Sequence, residues 1–413
     1  MIVPTVEGRE PRPPVIILGG ADNALSIARS LGHAGITTYA INQPQALVRN
    51  SRFCRWIEIP STGKRLEEDW AAYLLGSESD HLRDSVLLAA SDVAIELIAD
   101  HRPSLSARFR LDISNPTAQR CMLNKLCTYE AARQAGVPTP RFWVPDGREQ
   151  IEALRNELVF PLIVKPLFSH EYKAKFMGAT FARASTFDEL IDVSEAIHRA
   201  RIKTFLVEMI PGLDDRLCSY YTYMDEKGDN LFDYTKRIIR RYPIGMGTAV
   251  YHITDDVPSV KELALRLFRQ AGLQGIGNAE FKLDDRDGQL KLIECNARFT
   301  AADCLLTASG LNLSLFVYQK LTGHEPRAPS HFRPGMRLWA PTQDYKAYRQ
   351  LNSLGVLSFG QWVRSILHPQ ILPIFRWYDP MPAVVNTLRL VRSKFFARFL
   401  APRHAAQTVG LSH

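Results

Sequence analysis

Glu280, Glu294, Asn296 and Arg298 are the residues of this sequence best placed to do chemistry. The last three occupy alternate positions, and Glu280 stands on the far side of a polar turn at 284–288. Apolar residues flank that turn, so 280–298 reads as two strands of a hairpin. Side chains at i, i+2 and i+4 of a strand point to one face. Two carboxylates, an amide oxygen and a guanidinium therefore converge on one patch. Mg²⁺ takes oxygen ligands, typically one or two carboxylates with phosphate oxygens, and Arg grips phosphate bidentately. The set suits a metal ion carried on the phosphates of a nucleotide. Alone, Glu280 reads as an ordinary surface acid; the set does not.

Other charged residues stand upstream, at the ends of recognisable elements. Lys125 lies on a helical stretch, 118–135, that stops at Gly136 and is followed by Pro138 and Pro140. Residues 160–166 form a short apolar strand that closes on Lys165, a context unlike that of a surface lysine. Residues 204–212 form another, ending in Glu208 and a turn. Between them a strand at 179–184 leads into a helix at 186–201, with Ser185 or Thr186 and then Glu189 as its start signal. Strands follow at 219–224 and 231–236. The basic run 236–241 places Lys236, Ile238 and Arg240 on one face and Arg237, Ile239 and Arg241 on the other. Either Arg240 or Arg241 is expected to reach the site and hold a substrate carboxylate or an acyl phosphate. The competing reading is a solvated edge strand guarded by its charge.

Lysine, lysine, glutamate and then the Glu/Glu-x-Asn-x-Arg hairpin, in that order, resemble the ATP-grasp superfamily of ATP-dependent carboxylate–amine or carboxylate–thiol ligases. Within it the chain looks nearest the D-aspartate ligase-like members, and less like biotin carboxylase. The resemblance covers about residues 15–325. It implies that Lys125 and Lys165 neutralise the α- and β-phosphates of ATP, and that Glu208 with the backbone of Met209 and Ile210 reads the adenine edge. It also implies that Asp214, with Asp215 a close competitor, accepts from the ribose hydroxyls. Glu280, Glu294 and Asn296 would hold Mg²⁺ or Mn²⁺, and Arg298 would meet the γ-phosphate. One departure stands out. The segment 167–178, where the family has a glycine- and serine-rich loop over the phosphates, has a single glycine. It offers Ser169, His170, Lys173 and Lys175 instead, and backbone approach to phosphate is easiest through glycine.

The implied fold is α/β and α+β. A Rossmann-like N-terminal domain (14–117) precedes a two-lobed ATP-grasp domain (118–328, lid about 158–210) and a basic C-terminal extension (329–413). The first domain opens with the buried run 14–18 and the turn Gly19-Gly20, then a helix (24–32) and a strand (37–41), one βα unit of a parallel sheet. Gly19-Gly20 is only a fragment of a dinucleotide fingerprint. Residues 85–92 repeat the strand-then-polar-tip pattern, so Ser91 and Asp92 are expected at the same cleft rim, where open α/β sheets bind ligands.

Composition fits a multidomain enzyme, with 413 residues and 46% hydrophobic. No apolar run reaches membrane-spanning length, and residues 1–14 lack a signal core, so a cytoplasmic location is expected. The six cysteines show neither C-x-x-C nor zinc spacing and read as thiols of a reducing compartment. The charge is uneven. Residues 331–413 hold eleven Lys+Arg against Asp344 and Asp379, a local +9 on a chain of net +8. Residues 383–400 can form a helix with Val384, Leu388, Val391, Phe395 and Phe399 on one stripe. Adhesion to an anionic membrane or polymer, peripheral at the inner membrane face, is one reading; a helix packed on the body with a solvated basic face is the other. No nucleic-acid motif is present.

The resemblance implies a ligase. A carboxylate takes the γ-phosphate of Mg·ATP, giving an acyl phosphate that an amine then attacks, so the partners are a small carboxylate and an amine. Such chemistry needs positioning and charge rather than a protein nucleophile, in keeping with the absence of any Ser-His-Asp or Cys-His set. A degenerate ATP-binding regulatory module and a membrane or polymer adaptor stay open as alternatives. Dimers are common among such enzymes, so a homodimer is the assembly to test.

Overall fold

The computed structural model describes residues 12–176, 180–329 and 331–400, and only the backbone of 173, 174 and 393–400. The expected lid residues Lys173 (its side chain) and Gly178, and the stripe side chains Phe395 and Phe399, lie outside what is described.

The first domain is a parallel sheet in the order β3-β2-β1-β4: β1 (Val15–Leu18), β2 (Thr38–Ile41), β3 (Arg55–Trp56) and β4 (Val86–Ala89). Every residue of β1 is fully buried. A central parallel strand is covered on both faces, so it reads as a continuous apolar run. Gly19 follows with φ of +72°. A Cβ there would collide with Ser91, so the glycine lets the tips of β1 and β4 close on each other. The helix Asp22–His33 then packs back on the sheet, and its Asn23 Nδ2 donates to Ala90 O (2.7 Å) and Phe299 O (2.9 Å). The second of these bonds fastens the first domain to the residues just after the hairpin.

Two further sheets form the rest. The lid sheet runs β5-β8-β6-β7, with β5 (Phe142–Trp143), β6 (Leu162–Pro166), β7 (Ala182–Ala184) and β8 (Thr204–Glu208) all antiparallel. The larger sheet runs β13-β12-β9-β10-β11-β14-β15. It comprises β9 (Leu217–Met224), β10 (Tyr234–Tyr242), β11 (Thr248–Thr254), β12 (Gly275–Asp284), β13 (Gln289–Asn296), β14 (Arg337–Trp339) and β15 (Gln370–Ile371). The lid helix is Phe187–Arg199, capped by Thr186 Oγ1 accepting from Glu189 N, while Glu189 Oε2 accepts from Ser185 N. Thr186, not Ser185, is the cap.

Four expectations need correction. The single helix at 118–135 is two, Pro116–Leu123 and Lys125–Gln134, because Asn124 leaves the helical path and caps the second by accepting from Leu126 N and Cys127 N. That corner brings the Cα atoms of Cys121 and Cys127 to 5.2 Å, and the two are disulfide-bonded, so not all six cysteines are thiols. The segment after β6 is not simply a loop. Ser169–Lys175 is helical, lacking any glycine to break it, and Lys175 Nζ donates back to Ala200 O (2.5 Å) at the end of the lid helix.

Fourth, the C-terminal extension is woven into the body. β14 and β15 extend the large sheet, and the two acids of this stretch anchor it. Asp344, fully buried, accepts from Arg240 Nε (2.6 Å) and from the indole N–H groups of Trp339 and Trp362 (both 2.9 Å). Asp379, 1% exposed, accepts from Arg29 Nε (2.8 Å), Ser51 Oγ (2.7 Å) and Arg52 N (3.0 Å). Among the described residues no helix is long and apolar enough to cross a membrane.

Candidate active site

The hairpin β12–β13 sets the frame. Glu280 and Glu294 are direct cross-strand partners, as are Asn278 and Asn296. Glu280 also pairs with Ser219 on β9, and Ser219 with Lys236 on β10. Residues directly opposite share a face, so Glu294, Glu280, Ser219 and Lys236 make one row across the sheet. Lys236 Nζ, buried, donates to Ser219 Oγ (3.0 Å). Asn296 Nδ2 donates to Asn278 Oδ1 (3.2 Å), a bond that does not use its own amide oxygen.

Both lysines come to this row from the lid side. The backbone N–H of Lys125 donates to Leu167 O (3.0 Å), tying the start of its helix to the end of β6. Lys125 Nζ then lies 3.3 Å from Glu294 Oε2. Lys165, 6% exposed, donates to Ile293 O (2.7 Å) and Tyr129 OH (3.2 Å) and sits over the Tyr129 ring. Burial, reinforced by the nearby Lys125 charge, pushes the Lys165 ammonium down to about 7. Burial alone would raise Glu294, but Lys125, Lys165, Arg241 and Arg298 outweigh it and hold the carboxyl at about 2.

The strict alternation expected for 236–241 fails. Register shifts between Ile238 and Arg240, and again between Arg240 and Arg241, mark a bulge in β10. A bulge re-aims the side chains that follow it. Arg240 is thereby turned away from the site, into the buried pair with Asp344 and over the Tyr251 ring. Arg241 goes to the site instead, with Nη2 3.9 Å from Glu280 Oε2. Its Nε is buried without a protein partner. His252, beside Lys236 and Arg241, is also buried with Nδ1 unpartnered; burial first, then those two charges, hold it well below the usual imidazole range. Arg298 Nε donates to Asp92 Oδ1 (2.5 Å), which puts the β4 tip at the cleft rim.

The remaining site residues line the β8–β9 connection. The Glu208 carboxylate is buried and engaged by Arg286 Nη1 (2.7 Å) and Arg141 N (3.3 Å). Ile210 O and Gly212 O accept from Lys282 Nζ (3.0 and 2.8 Å). Asp214 is buried and accepts from Gly245 N (3.0 Å), whereas Asp215 is exposed. Met209 approaches the same Gly245, its Cε 3.4 Å from where a Cβ would stand. The sequence reading missed Asp92 as the partner of Arg298, Lys236 as a member of the row, and His252. Lys236 carried the signal of alternation with Ile238, and Asp92 that of a polar strand tip at the cleft rim, without its partner; nothing local marks His252.

The residues fit a metal–polyphosphate group. Among the described residues no group of three or more His, Cys, Asp and Glu could enclose a bare metal. Glu280, Glu294 and the Asn296 amide make an open set, as suits Mg²⁺ that takes its other ligands from phosphate and water. Lys125, Lys165, Lys236, Arg241 and Arg298 outnumber Glu280, Glu294 and Asp92. With the unpartnered Arg241 N–H, that leaves a buried excess of positive charge, which an anion would relieve.

No protein-family model matches the chain. A D-aspartate ligase of Enterococcus faecium is 26% identical over 363 residues, 82% of this chain and 85% of that protein. A D-alanine–D-alanine ligase of Ectopseudomonas mendocina is 28% identical over 190 residues, 43% of this chain and 56% of that one. In fold, the chain matches the biotin carboxylase domain of Hydrogenobacter thermophilus 2-oxoglutarate carboxylase, solved with MgADP, ADP and bicarbonate. The TM-score is 0.61 at 16% identity, covering 80% of this chain and 74% of that one. The likeness to biotin carboxylase is thus one of fold, while the sequence points to the amino-acid ligases. The chain has an ATP-grasp fold and is similar in sequence to the D-aspartate and D-alanine–D-alanine ligases.

Proposed function

We propose that the protein is an ATP-dependent carboxylate–amine ligase, releasing ADP and phosphate through an acyl phosphate. One observation carries this reading: Glu280 and Glu294 face each other across β12–β13 while Lys125, Lys165, Arg241 and Arg298 close around them. Mg·ATP, when bound, supplies the phosphoryl group that makes the carboxylate reactive. Lys125 and Lys165 are the candidates for its phosphates, Glu280, Glu294 and Asn296 for the metal, and Asp215, the exposed member of its pair, for the ribose. The Glu208 side chain is spoken for by Arg286 and Arg141, so reading of the adenine edge falls to the backbone of Met209 and Ile210. Arg298 is the candidate for the transferring phosphate, where charge develops in the transition state. Arg241 is the candidate for the substrate carboxylate, because it reaches the row with a donor to spare.

The experiment is ADP and phosphate release with Mg·ATP over a panel of amino acids, small carboxylates and amines, with D-aspartate first because a homologue acts on it. Wild type is run beside Glu294→Ala. Turnover that needs both a carboxylate and an amine, and is lost in the variant, is the expected result. Tight Mg·ATP binding without turnover on any pair would favour the degenerate regulatory module instead. No Mg·ATP binding would overturn both.

A further inference from the structure

The terminal helix Met381–Leu400 starts beside the buried Asp379 and runs along 47–50, where Arg389 Nη1 donates to Gln45 O (2.5 Å). From Thr387 to Arg392 every side chain is exposed. Met381, Val384, Leu388 and Val391 recur at spacings of three and four, one helical stripe, and they are 52, 46, 63 and 60% exposed. Trp377, four residues ahead of the helix, is 87% exposed. Scattered apolar residues on a surface need no explanation, but a contiguous stripe does.

Charge decides what covers it. Between Asp379 and His413 the sequence has Arg389, Arg392, Lys394, Arg398 and Arg403 and no acid. Stripe-to-stripe pairing with a second copy would set this positive segment against itself. An anionic bilayer meets both features at once, apolar side chains entering the acyl boundary and basic ones reaching the headgroups. Exposed Trp belongs at that depth. At the base of the helix a cleft of about 500 Å³ is lined by Arg49, Asn50, Arg52, Trp377, Tyr378 and Asp379, whose carboxylate is already taken by Arg29, Ser51 and Arg52 N. Arg49 there pairs with Glu58 (3.0 Å) and Arg52 Nη1 reaches Tyr378 O (3.4 Å), while the buried Asn50 Nδ2 has no partner in the protein.

We propose that Trp377 and the exposed stripe of the terminal helix dock the protein on an anionic lipid bilayer, with the Arg49–Asn50–Arg52 cleft seating a headgroup phosphate. Gln45, which meets the helix, belongs to the loop after β2. In that loop Asn42 Nδ2 donates to Gly20 O (2.9 Å) at the cleft rim. Docking therefore lays the bilayer along the carboxyl edge of the first-domain sheet. The surface does not depend on the ligase reading.

The test is co-sedimentation of the full-length protein with vesicles of pure phosphatidylcholine and with vesicles about one-third phosphatidylglycerol, at about 0.1 M salt. Wild type should bind the anionic vesicles at least about tenfold more than the neutral ones. Leu388→Glu with Val391→Glu should lose about tenfold of that binding, and Trp377→Ala several-fold. These positions are exposed, so the variants should keep the wild-type melting temperature. Glu294→Ala should bind vesicles as wild type does, whatever its effect on turnover. No vesicle binding, or equal binding to both vesicles, would overturn the proposal. So would a wild-type dimer that Leu388→Glu makes monomeric, or binding to a soluble polyanion but not to vesicles.

Discussion

Arg298, on the stretch leaving β13, donates through Nε to Asp92 Oδ1 at 2.5 Å, joining the end of the β12–β13 hairpin to the β4 tip of the first domain. The residues are 206 positions apart. Arg298 is half-buried, and its donation from Nη1 to Phe299 O is long at 3.3 Å. Asp92 thus fixes the guanidinium plane, and the first domain takes part in positioning a group assigned to the phosphoryl transfer.

Asp92→Ala should release Arg298 without removing it. A misplacement of about 1 Å can cost about 10²-fold in rate, so kcat should fall by roughly that factor while the KM for ATP changes little. Steady-state kinetics on the substrate pair found by the panel would show this split. An unchanged kcat would mean that Arg298 needs no help from the first domain.

The two neighbouring arginines of β10 should part company. Arg240→Met removes the partner of the fully buried Asp344, and breaking a buried pair in this way costs about 3–5 kcal/mol. Urea denaturation should register the loss, with ATP affinity near wild type. Arg241→Met gives up only a long ion contact of 3.9 Å. Its stability should stay within about 1 kcal/mol, while turnover drops. The reverse pattern would reassign the two side chains.

That pair also shows where sequence reading reaches its limit. The facing of Glu280 and Glu294 was legible because it needs only a period of two and a polar turn. The start of the lid helix was legible to within one residue from Thr186 and Glu189. The assignment of Arg240 and Arg241 was not, since a bulge is set by pairing with β11 and leaves no mark on the strand's own pattern. Asn124 between Leu123 and Lys125 was a readable cap signal, overlooked because the apolar spacing continues across it. β14 and β15, three and two residues long, carry too few positions to show a period. Asp92 with Arg298, and Asp344 with Arg240, are unions of distant segments that only the folded chain makes.

Arg286 links the end of β8 to the hairpin turn, with Nη1 on Glu208 (2.7 Å) and Nη2 on Asp284 (2.6 Å). Its donation holds Asp284 well below the usual carboxylate range, and with Arg141 it overcomes the burial that would raise Glu208. Carboxylates depressed in the folded state stabilise it above their unfolded values of 4.5 and 3.8, and that stability is lost as pH falls. Arg286 is 44% exposed, so Arg286→Ala should cost a screened ~1–2 kcal/mol at pH 7. The variant's urea midpoint should also fall less steeply than wild type's below about pH 4.5. Parallel pH profiles would show that other groups carry the acid sensitivity.

Lys165 offers a test of the nucleotide site that needs no acceptor substrate. Burial and the charge of Lys125 bring its ammonium to about 7 in the free protein. The unfolded chain therefore binds more protons than the folded one from about pH 7 up to 10.5, and the free protein should grow more stable as pH rises through that window. A polyphosphate beside Lys165 favours the charged form. Binding of Mg·ATP near pH 8 should then take up close to one proton, falling towards zero by about pH 6, where Lys165 is already charged. Calorimetry in two buffers of different ionisation enthalpy measures that uptake directly. Lys165→Met should bind Mg·ATP more weakly and lose the uptake at pH 8. Proton uptake that survives in Lys165→Met would place the titrating group elsewhere, and Mg·ATP binding with no uptake in wild type would show that the phosphates do not meet this lysine.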